Sequence, residues 1–265
     1  IHSASPLPGP NVADPVKDLL DPAIHGTTTM VRSAAKAGTV RKLILTSSVA
    51  AIFDQEAPAG TVFTEEDWSP LIYEQGVYLS EQIAKTGDGS LLIAVYAAGK
   101  TLAEKALWDE VDKLGKPFPV ATINPTFIFG PEILPGQHLA SGTNAMFWGA
   151  LNTRPLDQSA GNLGWVDVRD VAAAHYQALV DDKADGQRFM TSAKQATSSD
   201  LIDIALEKFS EKQIGFGKPD EVVDKSKWIV TDASKIEKVL SGFKYHDFEQ
   251  SVVDFINAKL ASQAA

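Results

Sequence analysis

The chain has 265 residues, 44% of them hydrophobic and 22% charged, which is ordinary for a globular protein with a full hydrophobic core. Its 34 Asp and Glu residues against 24 Lys and Arg give a net charge of −10, which removes the usual electrostatic drive for binding nucleic acid or an anionic membrane. The sequence has no Cys, and its 5 His lack the close spacing of a zinc-binding helix. It also has no long apolar run and no signal-peptide pattern. The sequence therefore predicts a soluble, cytoplasmic protein without a metal site, nucleic-acid partner or membrane segment.

The first elements along the chain are a helix and a buried strand. Apolar residues recur every three or four positions over 19–34, which predicts an amphipathic helix with Pro22 as a kink. Gly38 supplies a C-terminal stop. The continuous apolar run 42–46 lacks alternation, which is typical of a strand of a parallel sheet that is buried on both faces.

The alternation of helix and strand continues in the next part of the chain. Residues 54–90 are irregular, with a predicted helix around 75–85, and a second helical segment starts near Tyr96 and stops at Gly115. The run 118–125 reads as another buried strand. This order predicts an α/β fold, a doubly wound parallel sheet with helices on both faces.

The C-terminal part is richer in helices. A strand at 165–167 leads into a helix that runs to Leu179, and Asp167 or Asp170 could cap it. Further helices are predicted at 144–151, 198–209, 232–240 and 248–260. These segments indicate a small, mostly helical lobe.

A tyrosine and a lysine stand four residues apart in the helical segment after residue 90. On a helix this spacing places Tyr96 and Lys100 on one face. A nearby cation favours the phenolate and lowers the phenol pKa from about 10, so the pair is suited to proton transfer. Two unrelated surface residues would give the same pattern, so its meaning depends on the surrounding residues.

Other polar residues follow the ends of the two predicted buried strands. Ser48 comes just after the run 42–46, and Asn124-Pro125 closes the run 118–125. In open α/β sheets, ligands bind beyond the carboxyl ends of the strands. One pocket could therefore collect Ser48, Tyr96 and the segment after Asn124.

Six stretches of the sequence resemble the motifs of a known family and occur in the same order along the chain. They are 1–6 (IHSASP), 45–53 (LTSSVAAIF), 96–104 with its Tyr-x-x-x-Lys, 124–131 (NPTFIFGP), 166–175 (VDVRDVAAAH) and 186–189 (GQRF). Together the sequence resembles the extended short-chain dehydrogenase/reductases, and within them the dihydroflavonol-reductase-like branch that includes fungal NADPH-dependent aldehyde, ketone and methylglyoxal/3-methylbutanal reductases. The resemblance implies a Rossmann-type fold with a small, mostly helical C-terminal substrate lobe.

The resemblance also implies catalytic roles for three residues. Tyr96 would be the general acid that protonates the substrate carbonyl oxygen. Lys100 would hold the ribose hydroxyls of the cofactor and lower the pKa of Tyr96. Ser48 would hydrogen-bond the same carbonyl oxygen, with Ser47 as a structural hydroxyl at the strand end.

The cofactor implied by the resemblance is NADP(H), with NAD not excluded. Besides Tyr96 and Lys100, the matching cofactor-binding positions are Ala4, Ser5, Pro125, Ile128 and Ser141.

An apolar substrate wall is expected at Leu7, Val49 and Phe53, although plain core packing explains these residues equally well. The charges of 167–170 are expected to cap a helix and to pair between lobes, and His175 to be a core histidine.

The expected organisation of the chain has four parts. Residues 1–131 form the remaining part of the dinucleotide-binding domain, and 132–162 a loop and helix on the substrate side. Residues 163–192 return to the Rossmann domain, and 193–265 form the small helical lobe.

Two departures from the family pattern are visible. Gly99 replaces the usual Ser before Lys100 and should loosen the helix slightly. Ile1 matches the fourth strand of the family, so the first three βα units and the Gly-rich turn for the cofactor diphosphate are expected to be absent from this chain. Either the chain is part of a longer protein or it is a shortened, inactive relative; its start at Ile1 and the intact catalytic residues favour the first.

The function predicted from the sequence is NADPH-dependent reduction of aldehydes, ketones or ketoesters by a monomer or homodimer acting on a small-molecule carbonyl substrate. Alternatives are a sugar-nucleotide epimerase or dehydratase, or a steroid or flavonoid reductase, of the same superfamily. A further alternative is a truncated, non-catalytic NADP-binding or interaction protein.

Overall fold

The computed structural model describes residues 1–9, 11–132, 142–221 and 223–264, which divide into two compact units. The first unit comprises Ile1–Glu56, Thr64–Asn124 and Gln177–Met190. The second unit comprises Ala57–Phe63, Pro125–Tyr176 and Thr191–Ala265.

A buried parallel sheet is the centre of the first unit. Its strands lie in the order β1 (Leu43–Thr46), β3 (Val120–Pro125) and β6 (Gln187–Thr191). β1 and β3 are parallel, with Leu43 opposite Val120 and Thr46 opposite Ile123. Every residue of β3 is buried, as expected for a strand covered on both faces. The α/β fold with a parallel sheet is therefore confirmed.

The N-terminal segment lies along the other side of β1. The His2 amide donates to the carbonyl of Ile44 at 2.8 Å, and the Thr46 amide donates to the carbonyl of His2 at 2.9 Å. This parallel bridge places Ala4 and Ser5 just beyond the end of β1.

Three helices belong to the first unit: α1 (Asp21–Ala37), α2 (Tyr73–Thr86) and α3 (Leu92–Lys113). α1 and α3 pack on β1 and β3, and α2 packs on α3. A single π-helical turn over Val16–Leu20 runs directly into α1, and Pro22 lies just after this turn, where it has no N–H to donate to the preceding turn. π-helical turns and prolines are the usual sites of helix kinks, and the kink at Pro22 stays a prediction. Gly38 ends α1 in the left-handed conformation, as predicted.

The helix that carries Tyr96 begins one turn earlier than expected. Asp88 caps a short 3-10 turn over Gly89–Leu91 by accepting from the Ser90 amide, and this turn continues directly into α3. Tyr96 is therefore a residue of the second turn rather than of the helix start.

Gly99 lies where α3 approaches the π-helical turn and α1. A Cβ atom at this position would lie 3.6 Å from the Ala23 side chain and 3.6 Å from the Leu19 carbonyl oxygen, which is ordinary van der Waals contact. The helices therefore leave room for a methyl group, and Gly99 lowers only the intrinsic stability of α3.

We expect Gly99→Ala to raise the free energy of unfolding by about 1 kcal/mol, because Ala loses less conformational entropy than Gly in a helix interior. Denaturant unfolding measures the change. Gly115→Ala is the matched control of opposite sign, because Gly115 has a φ of 73° that Ala adopts only with strain. If Gly99→Ala lowered the free energy of unfolding, the contact between α3 and α1 would be too tight to hold a methyl group.

Two pairs of parallel strands belong to the second unit. β4 (Phe127–Phe129) pairs with β5 (Trp165–Asp167), and β2 (Val62–Phe63) pairs with β7 (Val230–Thr231). Its helices are α4 (Gly142–Asn152), most of α5 (Val168–Val180), α6 (Ser198–Lys208), α7 (Glu211–Ile214), α8 (Lys235–Val239) and α9 (Phe248–Ala264).

Aromatic side chains form the core of the second unit. The rings of Phe129 and Phe147 stack at 4.0 Å, and Trp165 and Phe255 meet Phe147 edge-on at 5.0 and 4.9 Å. All four side chains are at most 1% exposed, so they join β4, β5, α4 and α9 into one core.

The division into units differs from the predicted one. Residues 125–131 and 163–176, expected in the Rossmann domain, belong to the second unit because β4 pairs with β5 and both strands pack in its aromatic core. Only Gln177–Met190 rejoins the first unit. None of the helices within the described ranges is long and apolar enough to cross a membrane.

Candidate active site

Tyr96 and Lys100 lie on one face of α3, as their spacing predicts. The Lys100 Nζ atom is 5.8 Å from the centre of the Tyr96 ring. Lys100 is only 7% exposed, so its ammonium group is held inside the first unit rather than in solvent. This burial separates the pair from an incidental surface pair.

Ser48 joins this pair from the end of β1. It has extended backbone angles and caps a 3-10 turn over Val49–Ala51, with its Oγ accepting from the Ala50 amide at 3.2 Å. Its side chain also lies close enough to Tyr96 to lower the pKa of the phenol. The structure thus brings Ser48, Tyr96 and Lys100 together within the first unit.

Ser47, the other residue of the serine pair, has a different partner. Its Oγ donates to the Glu104 carboxylate at 2.5 Å, and the side chain is buried. The Ser47 hydroxyl is therefore committed to a buried carboxylate, whereas the Ser48 hydroxyl faces Tyr96.

Burial dominates the acid–base properties of Tyr96 and Lys100. Desolvation raises the pKa of Tyr96, and the nearby Ser48 hydroxyl lowers it by a smaller amount. The expected lowering of this pKa by Lys100 is wrong in direction, because removing the phenolate from water outweighs the other effects. A high pKa keeps Tyr96 protonated, which is the form that a general acid needs.

Desolvation also shifts Lys100, in the opposite direction. Burial lowers the pKa of its ammonium group to about 8, although the nearby Glu104 carboxylate opposes this shift. Lys100 is therefore a cation at neutral pH and loses its charge in mildly alkaline solution.

A shallow recess adjoins Lys100 within the first unit. Ala4, Ser5, Thr46 and Ser47 line it together with Lys100. The Lys100 ammonium donates one long hydrogen bond, 3.4 Å, to the carbonyl of Thr46. Because an ammonium group has three donors, this donor set fits the ribose hydroxyls of a dinucleotide.

Known proteins that are similar to this chain include fungal oxidoreductases. No family model matches the chain. An uncharacterised oxidoreductase of Schizosaccharomyces pombe is 32% identical over 257 residues, which cover 96% of this chain and 73% of the relative. The NADPH-dependent methylglyoxal reductase GRE2 of Saccharomyces cerevisiae is 30% identical over 96% of this chain and 74% of its own length.

The chain belongs to the extended short-chain dehydrogenase/reductases. A solved structure from the same family agrees in fold: Gre2 of Candida albicans in complex with NADPH superposes with a TM-score of 0.82 and 29% identity, over 98% of this chain and 76% of that one. The Rossmann-type fold is therefore confirmed.

The remaining residues predicted from the short-chain dehydrogenase/reductase pattern lie in several places. Pro125 ends β3 and Ile128 lies in β4, both in the second unit. Within the first unit, Val49 is buried in the turn after Ser48 and Leu7 is 70% exposed, while Phe53 follows the same turn. Their cofactor and substrate roles stay predictions.

Ser141, the remaining predicted cofactor contact, lies outside the described residues.

The charged segment after β5 is structural in this member of the family. Arg169 bridges Asp167 and Asp254 at 2.6 and 2.8 Å, and Asp170 binds His246, all within the second unit. These pairs join the segment 163–192 to the segment 193–265, as expected, and the residues of both segments that form them lie in the second unit. His175 is a buried histidine bonded to the carbonyl of Val171, as expected.

Three polar residues for which the sequence predicted no catalytic or binding role form a network beside Ser48. Glu104, which is fully buried, contacts Asn124 at 2.7 Å and Arg188 at 2.7 Å. Asn124 also donates to the carbonyl of Ser48 at 3.1 Å. Glu104 and Arg188 are charged residues within apolar stretches, and buried Glu and Arg need a partner. Their charge was the feature of the sequence that could have predicted this network.

Proposed function

We propose that this protein reduces the carbonyl group of aldehydes, ketones or ketoesters with NADPH. The observation that carries the proposal is the placement of the Ser48 hydroxyl close to Tyr96, with the buried Lys100 ammonium beside the Tyr96 ring. The similarity to NADPH-dependent methylglyoxal reductase GRE2 supports the same chemistry and the same cofactor.

Ser48, Tyr96 and Lys100 have separate roles in the proposed reaction. Bound NADPH supplies the hydride that reaches the carbonyl carbon. Ser48 holds the carbonyl oxygen by a hydrogen bond, and Tyr96 donates its phenolic proton to the same oxygen as charge develops there. Lys100 holds the ribose hydroxyls, and its positive charge stabilises the phenolate that remains after proton transfer.

The substrate is a small carbonyl compound in this proposal. Val49 and Phe53 follow Ser48 and give the site an apolar border, which suits alkyl and aryl groups better than sugars. An α-dicarbonyl such as methylglyoxal and an aryl aldehyde are therefore the first compounds to examine. The cytoplasmic location and the monomeric or homodimeric state stay predictions from the sequence.

The test is consumption of NADPH by the purified protein with methylglyoxal, an aryl aldehyde and a ketoester, with NADH in parallel. We expect turnover with at least one of these compounds and a preference for NADPH over NADH. A nucleotide sugar is the control substrate, and it should not be consumed. Tight NADPH binding without turnover of any carbonyl compound would contradict the proposal and favour a non-catalytic binding protein.

A further inference from the structure

We propose that Glu104 is a positioning residue that fixes Ser48 beside Tyr96. The inference rests on the proposed function, because it assigns a role within the same site. It adds a residue that lines the inner end of the recess beside Lys100, does not contact Tyr96, and acts on Ser48 through two neighbours.

The Glu104 carboxylate is fully buried and accepts hydrogen bonds at both oxygens. Oε2 accepts from Ser47 Oγ at 2.5 Å and from Asn124 Nδ2 at 2.7 Å. Oε1 accepts from Arg188 Nε at 2.7 Å and from Thr122 Oγ1 at 2.9 Å. Four donors from β1, β3 and β6 therefore converge on one side chain of α3.

Two of these bonds lead to the serine pair at the end of β1. Ser47 is held directly through its hydroxyl, and Ser48 is held through Asn124, whose Nδ2 also donates to the Ser48 carbonyl at 3.1 Å. The side chain of Ser47 and the peptide carbonyl of Ser48 are thus both tied to the carboxylate. Because the direction of the Ser48 side chain depends on its backbone, the carboxylate sets where the hydroxyl lies.

Arg188 makes this anchor rigid. Its Nη1 donates to the carbonyls of Glu65 and Asp67, both at 2.6 Å, and its guanidinium group stacks on the Trp68 ring at 3.6 Å. A planar guanidinium fixed on several sides cannot follow small movements of its partner. The Glu104 carboxylate is therefore held in place independently of Ser48.

A role in stability alone would also explain a buried Glu–Arg pair. The bond from Asn124 to the Ser48 carbonyl separates the two explanations, because folding needs the ion pair whereas the placement of Ser48 needs the chain through Asn124. The experiment therefore requires variants that break each link.

Glu104→Gln removes two acceptor positions, and Asn124→Ala removes the link to Ser48 but keeps the Glu104–Arg188 pair. We expect both variants to lower kcat about 10- to 100-fold, because a small misplacement of a catalytic group costs this much, and Asn124→Ala to leave the dissociation constant for NADPH unchanged. Glu110→Gln is the matched control: Glu110 lies on the same helix and pairs with Arg32, so its loss should leave kcat unchanged. If Glu104→Gln does not fold, Asn124→Ala carries the test.

A double-mutant cycle shows whether the effect passes through Ser48. In a Ser48→Ala background, Asn124→Ala and Glu104→Gln should cause no further loss of kcat, because the group they position is gone. Losses that multiply with that of Ser48→Ala would overturn the proposal and leave Glu104 with a role in stability only.

A measurement that does not depend on turnover distinguishes failure of this inference from failure of the proposed function. With ¹³C-labelled tyrosine, the Tyr96 Cζ resonance is assigned by its absence in Tyr96→Phe, and it reports the influence of the Ser48 hydroxyl on the phenol. The resonance in Glu104→Gln and Asn124→Ala should move to its position in Ser48→Ala. A resonance at the wild-type position would overturn the inference, whereas a moved resonance in a protein without carbonyl turnover would contradict only the proposed function.

Discussion

Replacing Tyr96 by Phe should lower kcat about 10²- to 10⁴-fold, the usual contribution of a positioned general acid. The variant keeps the ring and the burial of the side chain but lacks the proton that the carbonyl oxygen receives. Because the hydroxyl is not needed for folding, the melting temperature should change little. Steady-state rates of NADPH consumption and thermal unfolding measure the two effects.

Tyr73→Phe is the matched control for this change. The Tyr73 hydroxyl donates to Asp21 at 2.9 Å in an exposed position, and Tyr73 has no role in the proposed reaction. Its loss should leave kcat at the wild-type value. Wild-type turnover in Tyr96→Phe would remove the proposed general acid.

Replacing Lys100 by Met should stabilise the fold and weaken cofactor binding at the same time. Burial lowers the pKa of Lys100 from 10.5 to about 8, so a charged Lys100 costs about 3 kcal/mol in the folded protein at neutral pH. Met fills similar space without a charge. We therefore expect a higher free energy of unfolding in Lys100→Met, together with a dissociation constant for NADPH raised about 10- to 100-fold by loss of the charged donor.

The sign of the pH dependence follows from the same shift. Between about pH 8 and pH 10.5 the unfolded chain holds the Lys100 proton and the folded protein does not. The unfolded state therefore binds more protons, and this group makes the wild-type protein more stable as pH rises through that window. Lys100→Met should lack this rise. Binding of NADPH should weaken over the same range in the wild type, since the ammonium charge is lost.

Lys113→Met is the matched control, since Lys113 is an exposed lysine in the last turn of α3. Its substitution should change stability by no more than about 0.5 kcal/mol and should leave NADPH binding intact. Destabilisation by Lys100→Met at neutral pH would mean that the ammonium contributes more to the fold than its burial costs.

Local patterns were sufficient to predict much of the fold. The apolar runs at 42–46 and 118–125 became the adjacent parallel strands β1 and β3, because continuous burial on both faces requires such runs. The four-residue spacing of Tyr96 and Lys100 predicted their proximity, since helical geometry depends on neighbouring residues only.

The parts of the site that depend on distant residues could not be predicted in this way. Glu104 meets Arg188 across 84 positions of sequence, and no periodicity connects them. The direction of the Tyr96 pKa shift was also wrong, because the spacing reveals the nearby cation but not the burial that outweighs it. Likewise, the pairing of β4 with β5 moved two segments into the second unit.

The most direct test of carbonyl reduction by this protein follows the transferred hydrogen itself. The wild-type protein is incubated with methylglyoxal and NADPH deuterated at either face of the nicotinamide C4, and the alcohol product is examined by mass spectrometry. We predict that one of the two labelled cofactors places deuterium on the former carbonyl carbon, and that Tyr96→Phe forms about 10²- to 10⁴-fold less of this labelled alcohol per unit time. A product without deuterium from either cofactor would contradict the proposed hydride transfer.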